Sequence, residues 1–236
     1  MIYVGIDDTD MPGTPGTNQF AKALAARVAN RYSCELIVRH QLLLAPGIPY
    51  TSKNSAASVL LRPHNSPEIA PLIVTLRALV RERFVNGSDP GFCVATTVPD
   101  EIVAYGRRCQ CELVTQGQAR RLAAKHGIHL EGCGGTDDGV VGALAAVGLI
   151  AKRDDGRLVR IGDWPDDLSG RQDVAAVRAR NVEVRCIETG RSVEAGVIDV
   201  GKHLRPNYRE GNIVLFARPQ SENCRRSSCW RAVRLT

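Results

Sequence analysis

Apolar positions along the chain open with a short run, residues 2–6, that is β-branched and aromatic, as a buried strand tends to be. Residues 11–17 follow with two Pro, two Gly and two Thr, and can continue neither strand nor helix. From residue 18, Phe20, Leu24 and Val28 recur at four-residue intervals in an alanine-rich setting. That spacing predicts an amphipathic helix to about Arg31, with Thr17 as its N-cap. Strands are expected over 34–44 and 55–61, a helix over 67–84 with Leu72, Leu76 and Leu79 on one face, and a strand over 91–97. The order β-α-β-β-α-β predicts a ferredoxin-like unit, an antiparallel sheet with two helices on one face.

Further on, helices are expected over 100–108, 115–126 and 140–150, then a hairpin over 151–161 turning at Asp154-Asp155-Gly156. His126 and His129 are three apart, but Gly127 breaks the helix between them, so they read as surface residues. Residues from 163 are rich in Pro, Gly and Asp and read as a linker reaching to about 180. Four short strand-like pieces follow, over 182–187, 193–200, 212–216 and 230–235, suggesting a small OB-like or SH3-like β module. The expected class is therefore α+β: a region 1–162 holding the ferredoxin-like unit with added helices, the linker 163–180, and a β-rich module 181–236.

Composition changes this picture little. At 236 residues, 44% hydrophobic and 24% charged, the chain is ordinary for a globular protein. No apolar stretch approaches the roughly 18 residues of a membrane span, and no secretory pattern opens the chain, so no membrane partner and a cytoplasmic location are expected. The eight cysteines then read as reduced thiols. The close pairs Cys109/Cys111 and Cys224/Cys229 lack zinc-knuckle spacing. Charge is informative only when divided. Residues 171–236 carry 13 Lys and Arg against 7 Asp and Glu, the whole of the net +6. Nearly all of it is arginine, whose planar fork suits phosphate, so either an anionic partner such as RNA or a solvated basic surface fits that end.

Candidate chemistry begins where the first strand ends. Asp7, Asp8 and Asp10 are three carboxylates within four residues. Crowded acids resist ionisation unless a cation or donors compensate. Magnesium (Mg2+) would do so, since it takes oxygen ligands and relies on one or two carboxylates plus substrate phosphates. The same acids would also serve as Asx-turn or capping groups. The loop after them delivers Gly16 and Thr17 to a helix N-terminus, where free N–H groups attract phosphate. No lysine follows the glycines, so this is not a P-loop. A second glycine-rich stretch, residues 131–139 with Asp137 and Asp138, leads into the helix containing Gly139 and Gly142. Glycines there permit close backbone approach to a ligand, while the two acids could equally cap that helix.

Several segments resemble one family. Gly5-Ile6-Asp7-Asp8-Thr9-Asp10 is similar to the opening motif of the archaeal tRNA-isoleucine agmatinylcytidine (agmatidine) synthetases, which use ATP to attach agmatine to the wobble cytidine. Pro46-Gly47-Ile48-Pro49-Tyr50 resembles that family's I-P-Y segment, Asp89-Pro90-Gly91 its N-P-G turn, and Gly139 to Gly148 its G-L-I-G-A-L-A-A-V-G helix. The resemblance spans about residues 1–150, without the family's Met-Cys before the threonine and without its later OB and zinc-ribbon modules. It implies a kinase-like domain in which Thr17 is the phosphorylated threonine.

On this reading Thr17 and Asp8 are catalytic, and Asp7, Asp10, Gly16, Lys53, Gly139 and Gly142 bind the nucleotide. Asp7, Asp8, Asp10, Asp137 and Asp138 are the candidate metal ligands. The expected cofactors are ATP and Mg2+, and the expected partners tRNA or another RNA and an amine co-substrate. Two alternatives stand beside it. One is a nonenzymatic RNA-binding protein using the arginine-rich end. The other is a haloacid-dehalogenase-like phosphohydrolase with Asp8 as nucleophile and Asp10 as acid.

Overall fold

The computed structural model describes all residues except 47, 49–52, 67, 221–228 and 236. Gly47, Pro49 and Tyr50 of the I-P-Y segment, the helix start expected at Pro67 and Cys224 lie outside the described residues. The chain divides into two compact units, Met1–Lys152 with Val159–Gly162, and Arg153–Leu158 with Asp163–Thr236.

In the first unit the chain runs β1 (Ile2–Asp7), α1 (Thr17–Arg27), β2 (Tyr32–Gln41), β3 (Ser55–Pro63), α2 (Ile69–Glu82) and β4 (Gly91–Ala95). It continues through α3 (Asp100–Cys111), α4 (Gln116–Lys125), β5 (His129–Gly132) and α5 (Gly139–Lys152). The strands lie in the order β5-β4-β1-β3-β2 and every neighbouring pair is antiparallel. A haloacid-dehalogenase-like enzyme needs a parallel, doubly wound sheet; the antiparallel neighbours of β1 overturn that alternative.

Alternation sorts β1 between two cores. Ile2, Val4 and Ile6 join Ala57, Val59, Leu61, Phe92 and Val94 in packing against Phe20 and Leu24 of α1 and Leu72, Leu76 and Leu79 of α2. Tyr3 lies toward the opposite core, where Cys93, Ala95, Ile102 and Tyr105 meet Ala143, Leu144 and Val147 of α5. Helices therefore cover both faces, not one as expected. α5 is buried almost all round, which explains a sequence with no polar face. A methyl group at Gly5 would collide with the carbonyl oxygen of Ala143, so glycine lets α5 lie directly on β1.

Three local expectations are corrected. Residues 129–132, unassigned in the sequence, pair with β4 as an edge strand. No hairpin turns at Asp154-Asp155-Gly156: α5 runs on to Lys152, and the strand that follows, β6 (Arg157–Ile161), pairs through Arg157 with Asn207. Thr17 is the first residue of α1, not its cap; Gly16 holds the N-cap position. His126 and His129 bind no common partner, His126 facing Glu101 and His129 facing Glu131.

The second unit contains β7 (Arg171–Asp173), α6 (Val174–Arg178), β8 (Glu183–Cys186), β9 (Val197–Asp199), β10 (Asn207–Arg209), β11 (Asn212–Pro219) and β12 (Cys229–Val233). Residues 163–180 are thus not a linker. Trp164 and Leu168 pack against the core formed by Val174, Val177, Val184, Ile198 and Leu215, and this apolar burial outweighs their loop-like composition. Parallel pairing of β8 with β11 and of β9 with β12 is a further departure from a simple run of hairpins. Cys34, Cys93, Cys109, Cys111, Cys133 and Cys186 are free thiols, whereas Cys229 is disulfide-bonded, an exception to the reduced state expected. No helix among the described residues is long and apolar enough to cross a membrane.

Candidate active site

The end of β1 and the loop to α1 gather a cluster of interacting acids. Asp7 closes β1, and a methyl group at Gly142 would strike its carboxylate, so the missing side chain on α5 is what makes room for the acid. Gly139 is held as closely: its N–H donates to the Asp89 carbonyl at 3.1 Å, and a side chain there would collide with Asp89 and Gly91. Two of the glycines expected to approach a ligand are thus occupied in seating the first turns of α5 on β1 and β4.

Asp8 has a left-handed backbone, φ 52°, a conformation that costs a non-glycine residue about 1 kcal/mol and recurs at functional sites. Burial is the largest cause that pushes its carboxyl up to about 6, followed by the charges of Asp89 and Asp10, with Asp138 adding less; the Asp89 N–H opposes them. Asp7 is pushed up further, to about 8, by burial first and by Asp8 and Asp10, against a hydrogen bond from the Asp8 N–H.

Asp10 performs a defined task. Its Oδ1 accepts from the Thr17 N–H at 3.2 Å and from Thr17 Oγ1 at 2.9 Å. It therefore satisfies a first-turn N–H of α1 that Gly16, having no side chain, leaves open. Thr9 Oγ1 donates to Thr17 Oγ1 at 3.2 Å, and both threonines are buried. The Thr17 hydroxyl is thereby oriented, donating its proton to the Asp10 carboxylate and accepting from Thr9.

Asp7, Asp8, Asp10 and Asp138 share one electrostatic neighbourhood, which also includes Asp89, a residue the sequence reading did not single out as an acid of the site. Asp89 draws the glycine-rich loop in by accepting from the N–H and, at 2.9 Å, the Oγ1 of Thr136. Its sequence signal is the Asp89-Pro90-Gly91 turn, which says nothing of what the loop will meet. Asp138 accepts from Gln116 at 2.8 Å. Asp137 is turned away into an ion pair with Arg120 at 2.9 Å. Lys53 is exposed, with no ion pair among the described residues. Among the described residues no group of three or more His, Cys, Asp or Glu side chains is arranged to hold a metal ion.

No family model and no curated protein sequence matches the chain. Solved structures do. A crystal structure of a tRNA fluorescent labeling enzyme aligns with 24% identity and a TM-score of 0.53, covering 62% of this chain and 35% of that one. The TiaS–tRNA(Ile2)–AMPCPP–agmatine complex aligns with 22% identity and a TM-score of 0.54, covering 62% and 36%. The TiaS–tRNA(Ile2)–ATP complex aligns with 24% identity and a TM-score of 0.52, over the same shares. TiaS is tRNAIle2 agmatidine synthetase. The chain spans about a third of the length of these proteins, and over that part it has their fold.

Proposed function

We propose that this chain is an ATP- and magnesium-dependent phosphotransfer enzyme of the tRNA-modifying ligase type, and that its β1-α1-β2-β3-α2-β4 portion is a ferredoxin-like unit. The observation that carries the reading is the Thr17 hydroxyl, bonded to Asp10 at the head of α1 beside Asp7 and Asp8. The solved TiaS complexes with ATP, AMPCPP, tRNA and agmatine support ATP, tRNA and an amine as the partners.

The chemistry follows from the side chains. Thr17 Oγ1 attacks the γ-phosphorus of ATP as its proton passes to Asp10; the new bond is O–P, the bond broken is that to the β,γ-bridging oxygen, and ADP leaves. α1 contributes the positive end of its dipole toward the phosphates. Asp7 and Asp8 are the groups that would hold magnesium. Burial first, and then the charge of the neighbouring acids, raises their affinity for protons; both leave hard oxygen donors that a cation would compensate, which fits that ion, and phosphate oxygens ordinarily complete its shell, so no preformed cluster of three is required. When bound, the metal neutralises charge on the transferring phosphoryl group. Activation of a substrate oxygen by phosphoryl transfer and displacement by an amine would complete a ligation of the TiaS kind.

The test is intact-mass and peptide mass spectrometry after incubation with ATP and magnesium. Phosphate on Thr17 that is absent from Asp8→Ala is the expected result. No phosphate on Thr17, together with no rise in melting temperature on adding ATP and magnesium, refutes the proposal.

A further inference from the structure

The arginine-rich end is less basic at its surface than its composition suggests. Arg178 pairs with Glu194 at 2.7 Å, Arg180 with Asp167 at 2.8 Å, Arg185 with Glu183 at 2.6 Å and Arg218 with Glu188 at 3.5 Å. Against that neutralised background, one group of arginines in the second unit is left in excess.

The group is assembled by Asn207, which is 1% exposed. Its Nδ2 donates to the carbonyl of Gly156 at 3.1 Å and to that of Leu235 at 3.4 Å. Main-chain bonds from Tyr208 to Gly156 and from Leu158 to Pro206 tighten the same junction. Each of the three segments so joined carries an arginine beside the joint: Arg157 next to Gly156, Arg205 two residues before Asn207, and Arg234 next to Leu235. Asn207 and Arg157 are also directly opposite in the register of β10 and β6.

The charges do not cancel. Asp166 accepts both terminal nitrogens of Arg205, at 2.8 and 2.7 Å, and faces His203 at 3.3 Å. No carboxylate among the described residues pairs with Arg157 or Arg234, and the buried Nε of Arg157 has no hydrogen-bond partner. Burial, then the charges of Arg234 and Arg205, holds the Arg157 guanidinium below its usual range. Arg234 is exposed, and a Cβ at Gly201 would lie 3.3 Å from its Nη2.

We propose that Arg157 and Arg234, brought together by Asn207 beside the Asp166-paired Arg205, form a phosphate-binding site in the second unit. Two guanidinium groups with no counter-ion among the described residues offer several N–H donors to one anion, the arrangement in which arginine binds phosphate through two parallel bonds. The phosphate is a phosphodiester of a single-stranded RNA or a free phosphate ion, and the inference stands whether or not Thr17 accepts a phosphoryl group.

The test is fluorescence anisotropy with a labelled mixed-sequence RNA 12-mer, at two salt concentrations, on the full chain and on Arg157→Gln, Arg234→Gln and Arg191→Gln. Arg191 is an exposed arginine outside the cluster and controls for net charge. Loss of about 3- to 10-fold in affinity in both cluster variants, a salt slope lowered by about 1, and less than about 2-fold change in the control would support an RNA phosphodiester. If RNA affinity does not distinguish them, millimolar inorganic phosphate should raise the melting temperature of the wild type and the control but not of the cluster variants, which supports a free phosphate ion. Equal behaviour of all three variants in both assays overturns the site. Arg157→Gln also removes a repelled, half-buried charge, so its melting temperature in the absence of ligand should equal or exceed that of the wild type, and Arg234→Gln changes only an exposed side chain.

Discussion

Replacing Asp7 by asparagine should stabilise the ligand-free protein at pH 8 while abolishing its function. The folded chain holds the Asp7 carboxyl at about 8, against an ordinary value of 3.8. Between those values the folded state keeps a proton that the unfolded chain has released, so stability falls as pH rises from about 4 to about 8. Four units correspond to at most about 6 kcal/mol at roughly 1.4 kcal/mol each. Burial is the larger part of that cost and the charges of Asp8 and Asp10 the smaller, and local relaxation with entry of water leaves about 2 kcal/mol. For a chain of this size that is a rise of about 4–8 °C in melting temperature. Differential scanning fluorimetry of wild type and Asp7→Asn at pH 8 and pH 4 measures it. The variant should gain at pH 8 and show little difference at pH 4, where the wild-type carboxyl is neutral in the folded state and still about two-fifths neutral in the unfolded chain. ATP and magnesium should stabilise the wild type at pH 8 and not the variant. A variant no more stable than wild type at pH 8 would refute the argument that Asp7 is held against its own charge.

Asp10→Asn should lower the rate of Thr17 phosphorylation by about 100-fold or more, since it removes the proton acceptor while keeping an oxygen near the Thr17 N–H; time-resolved phosphopeptide analysis measures the rate. Gly142→Ala should fold, because alanine favours a helix by about 1 kcal/mol, yet lose ATP-dependent stabilisation, because the methyl group displaces the Asp7 carboxylate; circular dichroism and thermal shift separate the two effects. Gly5→Ala should cost about 3 kcal/mol or more, since its methyl meets backbone and not a movable side chain, and denaturant titration reads the loss.

Much of this was legible locally. The strand, the acids and the following helix were readable because a five-residue apolar run and a four-residue repeat are properties of short windows. The glycines of α5 were legible as places of close approach, but the sequence does not say what approaches, and the structure answers with Asp7 at Gly142 and with Asp89 and Gly91 at Gly139. Asp89 was missed because it reaches Asp8 and Thr136 across 81 and 47 residues of chain, contacts that no pattern near residue 89 encodes. The linker reading failed because composition describes what loops contain and cannot see that Trp164 and Leu168 have a core to enter.

By itself, then, the sequence determined which segments alternate or repeat, and hence the β-α-β-β-α-β order and the crowding of Asp7, Asp8 and Asp10. Only tertiary structure decided that Asp10 grips the Thr17 hydroxyl, that Asp137 leaves the cluster for Arg120, and that Asn207 draws three arginines together. The physical reason is range. Backbone preference and side-chain periodicity act over a few residues, whereas hydrogen bonds, ion pairs and charge repulsion act between any groups that folding places within a few ångströms.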